Sequence, residues 1–409
     1  MISRRNFLVG ITGSAFLKSI LASPMPNHNN YWGEIAKNFR LKDGFHYFNN
    51  GTIGLSPIVV SDIVKNEMDI MDTTGGQHHE EAAIKALAGF LKVQNDEIAL
   101  THNVTEGVNI VAWGIPLKKG DEIILTDQEH VGGATPWLHR AKREDLKVKI
   151  VPIKTTANEV IDAIQKAITS KTRVIAIPHI PCTNGQILPI KEIATIAKRK
   201  DIWIVVDGAH PPGMLNINLA DLGVDAYSSC CHKWMLGPKG TGFLYVNKNR
   251  QNELMPTFVG AGSDTGWDIM ANCPTYNGYS NNGNRYFYGT QNNALHKGMI
   301  ASIDFLNGIG MDKVELRCRS LAALVQQEIL ALGDRAEMVS PTEEISRSGI
   351  ISFRLKKIDH IQFFSKALDK GFRIRSVPEN GINCIRVSTH IYNQPEEIQE
   401  FIEWVYDVA

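Results

Sequence analysis

The segment SSCCHKWMLGPKGTG, residues 228–242, holds the most reactive group of side chains in the sequence. Cys230, Cys231 and His232 are consecutive, so they cannot easily point at one tetrahedral zinc centre, and no second ligand pair has a suitable spacing. Adjacent cysteines also rarely have the geometry of a relaxed disulfide. The remaining interpretations are a surface lysine and a lysine held for covalent chemistry, and a desolvated site would give the Lys233 amine its reactive, deprotonated form.

Other side chains that can do chemistry follow predicted strands at the points where these strands end. Asp207 comes directly after five apolar residues, and a buried carboxylate needs a partner. His130 and His210 also follow such runs, and Thr105 begins a predicted helix, as a simple cap or as part of a phosphate cradle. Each residue alone has an ordinary structural explanation. Ligands of open α/β sheets bind beyond the carboxyl ends of the strands, so we expect these residues and Lys233 to meet at one edge.

Five short apolar runs predict the strands that position these residues. They are rich in β-branched residues and nearly continuous in apolar ones, as in strands that are buried on both faces. The runs are EIALT (97–101), DEIILT (121–126), TRVIAIP (172–178), DIWIVVD (201–207) and TGFLYV (241–246). Segments with apolar positions at helical spacing separate them. The alternation predicts an α/β domain with a mostly parallel sheet.

The chain of 409 residues is long enough for a large and a smaller domain. We predict a large domain over residues 45–300, a small α+β domain over 301–409, and an N-terminal segment, 24–44, that packs on the small domain. Residues 251–290 are rich in Asn, Gly and Tyr, which predicts a long loop of the kind that is often functional or interfacial. The 43 basic residues balance the 43 acidic ones, so charge gives no reason to expect a nucleic acid or an anionic membrane as partner.

The first residues differ in character from the rest. Residues 3–24 contain the pair Arg4 and Arg5, then a short apolar stretch, then small residues at its end. This pattern resembles a twin-arginine export signal. A short amphipathic helix is the alternative, and Lys18 within the apolar stretch argues for it. The stretch falls short of the ~20 apolar residues of a membrane anchor. We therefore predict a signal segment over residues 1–23, a periplasmic location without stable membrane insertion, and a cytoplasmic location if the segment is not a signal.

Eight segments, in order, resemble the class V aminotransferase group of enzymes that use pyridoxal 5′-phosphate (PLP). The segments are YFNNGTIGLSP (47–57), HNVTEGVN (102–109), EHVGGATPW (129–137), IPHIPCTNGQILPI (177–190), VVDGAHPPG (205–213), CCHKWMLGPKGTGFLYV (230–246), RYFYGT (285–290) and IRVSTHIYN (385–393). No single segment is specific, but the ordered set is. The resemblance implies the aspartate-aminotransferase-like fold (fold type I), a homodimer, PLP as cofactor and a small-molecule amino substrate.

The resemblance also implies roles for individual residues. Lys233 matches the lysine that forms the Schiff base (internal aldimine) with PLP, Asp207 the partner of the pyridinium nitrogen, and His130 the imidazole that stacks on the ring and helps proton transfer. The other implied cofactor contacts are Val104, Thr105, His210, Cys230, His232 and, from the partner subunit, Thr290. The implied substrate contacts are Asn50, Gly51, Cys182 and Arg386, whose fork suits a carboxylate. No metal site is expected.

The sequence departs from the desulfurase members of this group. They keep Asn at the position of Cys182 and Ser at that of Cys230, and they carry a catalytic cysteine on a loop before the substrate arginine. Here the segment between Arg375 and Arg386 reads SVPENGINCI, and Cys384 lies too close to Arg386 to be that nucleophile. The sequence around Lys233 resembles the isopenicillin N epimerase-like branch more closely. This branch includes a twin-arginine-exported PLP enzyme of pyoverdine siderophore maturation.

We therefore expect a PLP enzyme that acts at an amino-bearing carbon of an amino acid or peptide-like substrate, by aminotransferase-type or epimerase-type chemistry. The alternatives are a cysteine desulfurase or C–S lyase, and a siderophore-modifying oxidative decarboxylase or transaminase in the periplasm. A non-catalytic PLP-fold binding protein is a further alternative, against which the intact set of Lys233, Asp207, His130 and Arg386 argues.

Overall fold

The computed structural model describes residues 28–409, so the predicted signal segment lies outside the described residues. Within that range, no helix has the length and apolar character to cross a membrane.

A seven-stranded sheet, a four-stranded sheet, two two-stranded pairs and the helices that cover them make up the described fold. The strands are β1 (His46–Tyr47), β2 (Ile98–Thr101), β3 (Glu122–Thr126), β4 (Lys147–Val151), β5 (Thr172–Pro178), β6 (Trp203–Asp207), β7 (Ala226–Cys230), β8 (Gly242–Val246), β9 (Trp267–Asp268), β10 (Thr275–Tyr276), β11 (Ala336–Met338), β12 (Ile350–Leu355), β13 (Phe372–Arg373), β14 (Arg375–Val377) and β15 (Cys384–Ser388). The α-helices are α1 (His28–Ala36), α2 (Ile58–Thr74), α3 (Glu80–Leu91), α4 (Val104–Gly114), α5 (Val131–Glu144), α6 (Ala157–Ala167), α7 (Ile190–Lys198), α8 (Leu219–Leu222), α9 (Asn293–Ile309), α10 (Met311–Ala331), α11 (His360–Asp369) and α12 (Pro395–Val408).

The large sheet has seven strands in the order β2-β8-β7-β6-β5-β3-β4. Strand β8 runs antiparallel to both of its neighbours, and the remaining strands run parallel to one another. The predicted mostly parallel sheet is therefore confirmed. The carboxyl ends of its parallel strands meet at one edge, where ligands of such sheets bind.

Two strands of this sheet are not among the predicted ones, because neither is a continuous apolar run. Edge strand β4 reads KVKIV and is largely accessible along its length. Strand β7 reads AYSSC and is buried throughout, although it contains two serines. Ser228 donates a hydrogen bond to the carbonyl of Val104 at 2.9 Å, and Ser229 donates to that of Gly208 at 2.7 Å. These bonds satisfy hydroxyls that would otherwise be costly to bury.

Helices cover both faces of the large sheet. One face packs against apolar residues of α3, α6, α7 and α9, such as Leu87 and Ile193. The other packs against α4 and α5, through residues such as Val108 and Trp137. This arrangement explains why the central strands are apolar on both sides.

The small domain is a four-stranded antiparallel sheet in the order β11-β12-β15-β14, packed against α10, α11 and α12. The predicted boundary at residue 300 falls inside α9, and Leu306 at the end of that helix still belongs to the large-domain core. From Leu321 onward, the buried apolar residues of α10 pack in the apolar core of the small domain. In the described part of the predicted N-terminal segment, Phe39 packs in the larger core and contacts the rings of both Phe305 and Tyr392.

Candidate active site

A cavity of about 220 Å³ lies at the carboxyl edge of the parallel strands, where the two domains meet. The predicted site residues that line it are Gly51, Val104, Thr105, His130, Cys182, Asp207, Cys230, His232, Lys233 and Arg386. The wall also contains five residues that sequence reasoning missed: Thr52, Asn103, Gly132, Ala209 and Arg375. Asn50, His210 and Thr290 are predicted site residues outside this wall.

One end of the cavity is suited to an anion. Asn103 caps helix α4 by accepting a hydrogen bond from the Glu106 amide at 3.0 Å. The first amides of the helix, those of Val104 and Thr105, have no intrahelical partner and carry the positive end of the helix dipole. The Nδ1 atom of His232 is buried without a hydrogen-bond partner, and burial lowers the pKa of this imidazole to about 4. Helix N-termini of this kind bind phosphate groups.

The lysine loop, residues 231–237, is held from two sides. The Gly54 amide donates to the carbonyl of His232 at 2.8 Å, and a β-carbon on Gly54 would come 1.9 Å from the carbonyl oxygen of Lys233. On the other side, His390 Nε2 lies 2.9 Å from the carbonyl of Trp234, which can only accept. Lys233 itself lines the cavity. The loop therefore presents the lysine from a fixed backbone.

His210 lies beneath this loop. Its Nδ1 accepts a hydrogen bond from the Trp234 indole at 2.9 Å, while its Nε2 is buried without a partner. Burial and the nearby Lys233 hold its pKa well below the ordinary range, so the ring is neutral. Its predicted contact with the cofactor remains a prediction.

The other two predicted residues outside the wall occupy different surroundings. Asn50 is fully buried, and its Oδ1 accepts a hydrogen bond from the Tyr392 hydroxyl at 3.0 Å. Thr290 is exposed on the surface of the single chain. Its predicted contact belongs to a partner subunit.

His130 and Asp207 both line the cavity. His130 Nδ1 caps α5 by accepting the Gly132 amide at 3.1 Å, so the proton of the neutral ring is assigned to Nε2. Burial, with a further contribution from the Lys233 charge, lowers the pKa of His130. Asp207 Oδ1 accepts the Ala209 amide at 3.0 Å. The cavity thus holds one carboxyl group, that of Asp207, and two imidazoles of lowered pKa, those of His130 and His232.

Glu129 is a second carboxyl group behind Asp207, and the sequence reading did not single it out. Its Oε1 accepts hydrogen bonds from the amide and the hydroxyl of Thr126 at 3.0 and 2.7 Å. A β-carbon on Gly133 would lie 3.1 Å from Asp207 Oδ2 and 3.5 Å from Glu129 Oε2, so only a glycine separates the two groups. Burial, reinforced by Asp207, raises the pKa of Glu129 to about 8. Glu129 is therefore a neutral acid at pH 7.

Arg386 forms the opposite end of the cavity and is only 1% exposed. Its guanidinium donates to the carbonyl of Cys182 at 2.9 Å, to the Thr52 hydroxyl at 2.7 Å and to Asn49 Oδ1 at 3.2 Å. These partners are neutral, and Nε has none. Burial lowers the pKa of Arg386 to about 10, which still leaves it a cation at neutral pH. A buried cation with only neutral partners is suited to bind the carboxylate of a ligand.

Cys230 and Cys384 are not activated thiols. Cys230 points its sulfur at the carbonyl of Ala209, 3.8 Å away, and burial raises its pKa to about 11. Cys384 lies outside the cavity wall, buried in β15 with its sulfur 3.9 Å from the carbonyl of Thr183, and its pKa is also raised to about 11. Thiolates are the nucleophilic form, so neither residue is poised for attack. Within residues 28–409 no cluster of His, Cys, Asp or Glu could hold a metal ion.

The groups that line the cavity fit PLP. The α4 N-terminus and the unpartnered His232 nitrogen suit its phosphate, and the Asp207 carboxylate suits a protonated ring nitrogen. The Lys233 amine suits its aldehyde.

Comparisons with known proteins agree with this geometry. Residues 64–401 match the Aminotransferase class-V family. The chain is 30% identical over 351 residues to a probable cysteine desulfurase of Methanothermobacter thermautotrophicus, covering 80% of this chain and 83% of that protein. It is also 30% identical over 339 residues to the isopenicillin N epimerase of Amycolatopsis lactamdurans, covering 80% and 84%.

Solved structures of one protein, C-DES, share the fold. The cystine C–S lyase C-DES with its reaction product cysteine persulfide superposes with a TM-score of 0.82 at 26% identity, covering 89% of this chain and 98% of that one. A lysine-to-alanine variant of C-DES with glycine covalently linked to its PLP cofactor gives 0.83 at 25% identity, covering 94% and 100%. The chain has the PLP fold type I and belongs to the class V aminotransferase family of PLP-dependent enzymes.

Proposed function

We propose that this chain is a PLP-dependent enzyme that acts at the amino-bearing carbon of an amino acid or peptide-like substrate. The observation that carries the proposal is the single cavity in which Lys233, Asp207 and Arg386 meet the N-terminus of α4. PLP supplies the electron sink that stabilises negative charge on the substrate carbon. The branch that contains isopenicillin N epimerase supports epimerase-type or aminotransferase-type chemistry.

The chain's own residues divide the work between binding and proton transfer. Arg386 binds the substrate carboxylate through its unpartnered Nε edge. Asp207 holds a proton on the cofactor ring nitrogen. Lys233 would hold the cofactor through its Nζ atom, and once the substrate amine replaces it there, the freed Lys233 amine would take the proton from the substrate carbon. His130 presents Nε2–H to the cavity, so it acts as a hydrogen-bond donor and not as the base.

Lys233→Ala tests this assignment directly. We expect the cofactor-loaded protein to show a visible absorbance band that Lys233→Ala removes, because the amine that binds the cofactor covalently is gone. Lys239→Ala is a matched control, since Lys239 lies on the same stretch of chain but outside the cavity, where it donates to the Ser56 hydroxyl at 3.1 Å. A loaded wild-type protein without the band would contradict the proposal.

A C–S lyase or desulfurase is the second candidate. Probable cysteine desulfurases and the C–S lyase C-DES among the similar proteins favour it. The raised pKa values of Cys230 and Cys384 argue against either residue as the cysteine nucleophile of a desulfurase, but a lyase needs no thiol. Sulfide or sulfane sulfur released from cysteine or cystine would favour this candidate, and amino-acid racemisation or transamination without sulfur release would exclude it.

We further propose a homodimer and export through the twin-arginine route. The exposed position of Thr290 supports a role in a partner's site, and the hairpin β9–β10 exposes Trp267, Ile269 and Met270, which are large apolar side chains. Arg4 and Arg5 support the export signal. A reporter fused to residues 1–23 should reach the periplasm and stay in the cytoplasm when both arginines become lysine; export of both fusions would refute the twin-arginine route.

A further inference from the structure

A second arginine stands beside Arg386 in the substrate end of the cavity. Arg375 on β14 is paired directly with Arg386 on β15 in the antiparallel register, and both line the cavity. Directly opposite residues of such a pair share one face of the sheet, and like charges there are destabilising. Two cations held together at this cost point to a ligand that carries negative charge.

The two arginines differ in what already neutralises them. Within residues 28–409, Arg386 has no carboxylate partner. Arg375 pairs with Glu379 through Nη2 alone, and no other hydrogen bond of its guanidinium occurs in the same range. A guanidinium has five N–H donors in a planar fork, so one carboxylate leaves an edge of Arg375 unused.

The charge of Arg375 also affects the pKa values of other side chains of the site. It contributes to lowering the pKa values of Arg386, His210 and His130, although burial is the larger cause for all three. Glu379, the ion-pair partner of Arg375, partly offsets this charge. Glu379 belongs to a short turn, Glu379–Gly381, in which Asn380 has a left-handed φ of 53°. The turn therefore holds the carboxylate beside Arg375 without filling the cavity.

We propose that the substrate is a dicarboxylic amino acid, whose α-carboxylate binds Arg386 and whose side-chain carboxylate binds the free edge of Arg375. The inference rests on the proposed function, since it assigns the substrate class of that same site. Glu379 orients the Arg375 guanidinium and competes weakly with the substrate for it. A neutral side chain leaves the Arg375 edge without an acceptor.

The test uses the cofactor-loaded enzyme and two unreactive probes that differ by one charge, glutarate and its mono-amide glutaramate. Calorimetry should show that the wild type binds glutarate about tenfold or more tightly than glutaramate, because only glutarate offers a charged acceptor to the free edge of Arg375. Arg375→Gln should abolish the preference and leave glutaramate binding unchanged. Glu379→Gln should increase the preference. Arg373→Gln, two residues earlier and outside the cavity wall, should keep it.

Two results would overturn the inference. One is equal binding of the two probes by the wild type, a comparison that holds even if Arg375→Gln fails to fold. The other is an equal loss for both probes in Arg375→Gln, which would mean that Arg375 only positions the turn. Failure of the proposed function is separate, since it would appear as a loaded protein without the Lys233-dependent band.

Discussion

At the residue scale, the ionisation of the site depends on groups that no motif reveals. His130 and Asp207 could be predicted because they follow apolar runs that the sequence shows. Glu129 precedes His130 in the chain, yet its role depends on Gly133 bringing it beside Asp207, which is a property of helix packing. The role of Arg375 is equally absent from any local pattern, since only the register of β14 against β15 places it opposite Arg386.

Glu129→Gln should make stability less dependent on pH. The pKa of Glu129 is raised to about 8 in the fold, so between the unfolded value and pH 8 the native state holds a proton that the unfolded state has lost. Wild-type stability therefore falls as pH rises through this window. Relative to the wild type, the free energy of unfolding of Glu129→Gln should rise by about 2 kcal/mol from pH 5 to pH 7.

Urea unfolding of the chain without cofactor measures this difference. Glu144→Gln is a control, because Glu144 ends helix α5, which follows Glu129 in the chain, and pairs with Arg140 at 2.8 Å. A pH-independent difference between wild type and Glu129→Gln would mean that Glu129 is ionised in the fold.

At the element scale, the site depends on the close approach of two helix N-termini. Helices α4 and α5 both begin at the cavity, and Gly132 in the first turn of α5 lies against Thr105 of α4. A β-carbon on Gly132 would come 2.4 Å from the Thr105 hydroxyl oxygen. Strands and most helices can be predicted from the sequence because their periodicity is local. The sequence does not show that contact between α4 and α5 requires a glycine at position 132.

Gly132→Ala should weaken cofactor binding by about tenfold or more, because the methyl group pushes Thr105 and the α4 amides out of place. Gly89→Ala is the matched control. Gly89 lies within α3 with no atom near a new β-carbon, so alanine there should stabilise the chain by about 0.5–1 kcal/mol and leave cofactor binding unchanged. Titration with PLP and thermal unfolding measure the two effects, and equal cofactor affinity in both variants would show that α5 can shift freely.

At the scale of the whole molecule, the cavity joins two domains whose order along the chain the sequence indicated. Helix α9 is continuous and packs on the large domain, and no composition change marks its end. The parts that stay predictions, Thr290 and the homodimer, depend on a second chain. Local patterns in one chain do not show which exposed residues complete a neighbour's site.

Mixing two inactive variants tests whether Thr290 acts across a dimer. Lys233→Ala removes the lysine and Thr290→Val removes the hydroxyl, each from its own homodimer. In a mixed dimer, the site that keeps Lys233 receives Thr290 from the partner, so unfolding and refolding the two together should restore about a quarter of the wild-type sites. No restoration would mean that Thr290 serves its own chain or that the protein is a monomer.

The central claim is that Lys233 is the covalent anchor of the cofactor. Borohydride reduction of the PLP-loaded protein, followed by peptide mass spectrometry, tests it most directly. The account predicts that the cofactor mass is found on Lys233 and that Lys239 stays unmodified. Cofactor on another lysine, or on none while the loaded protein is active, would contradict the account.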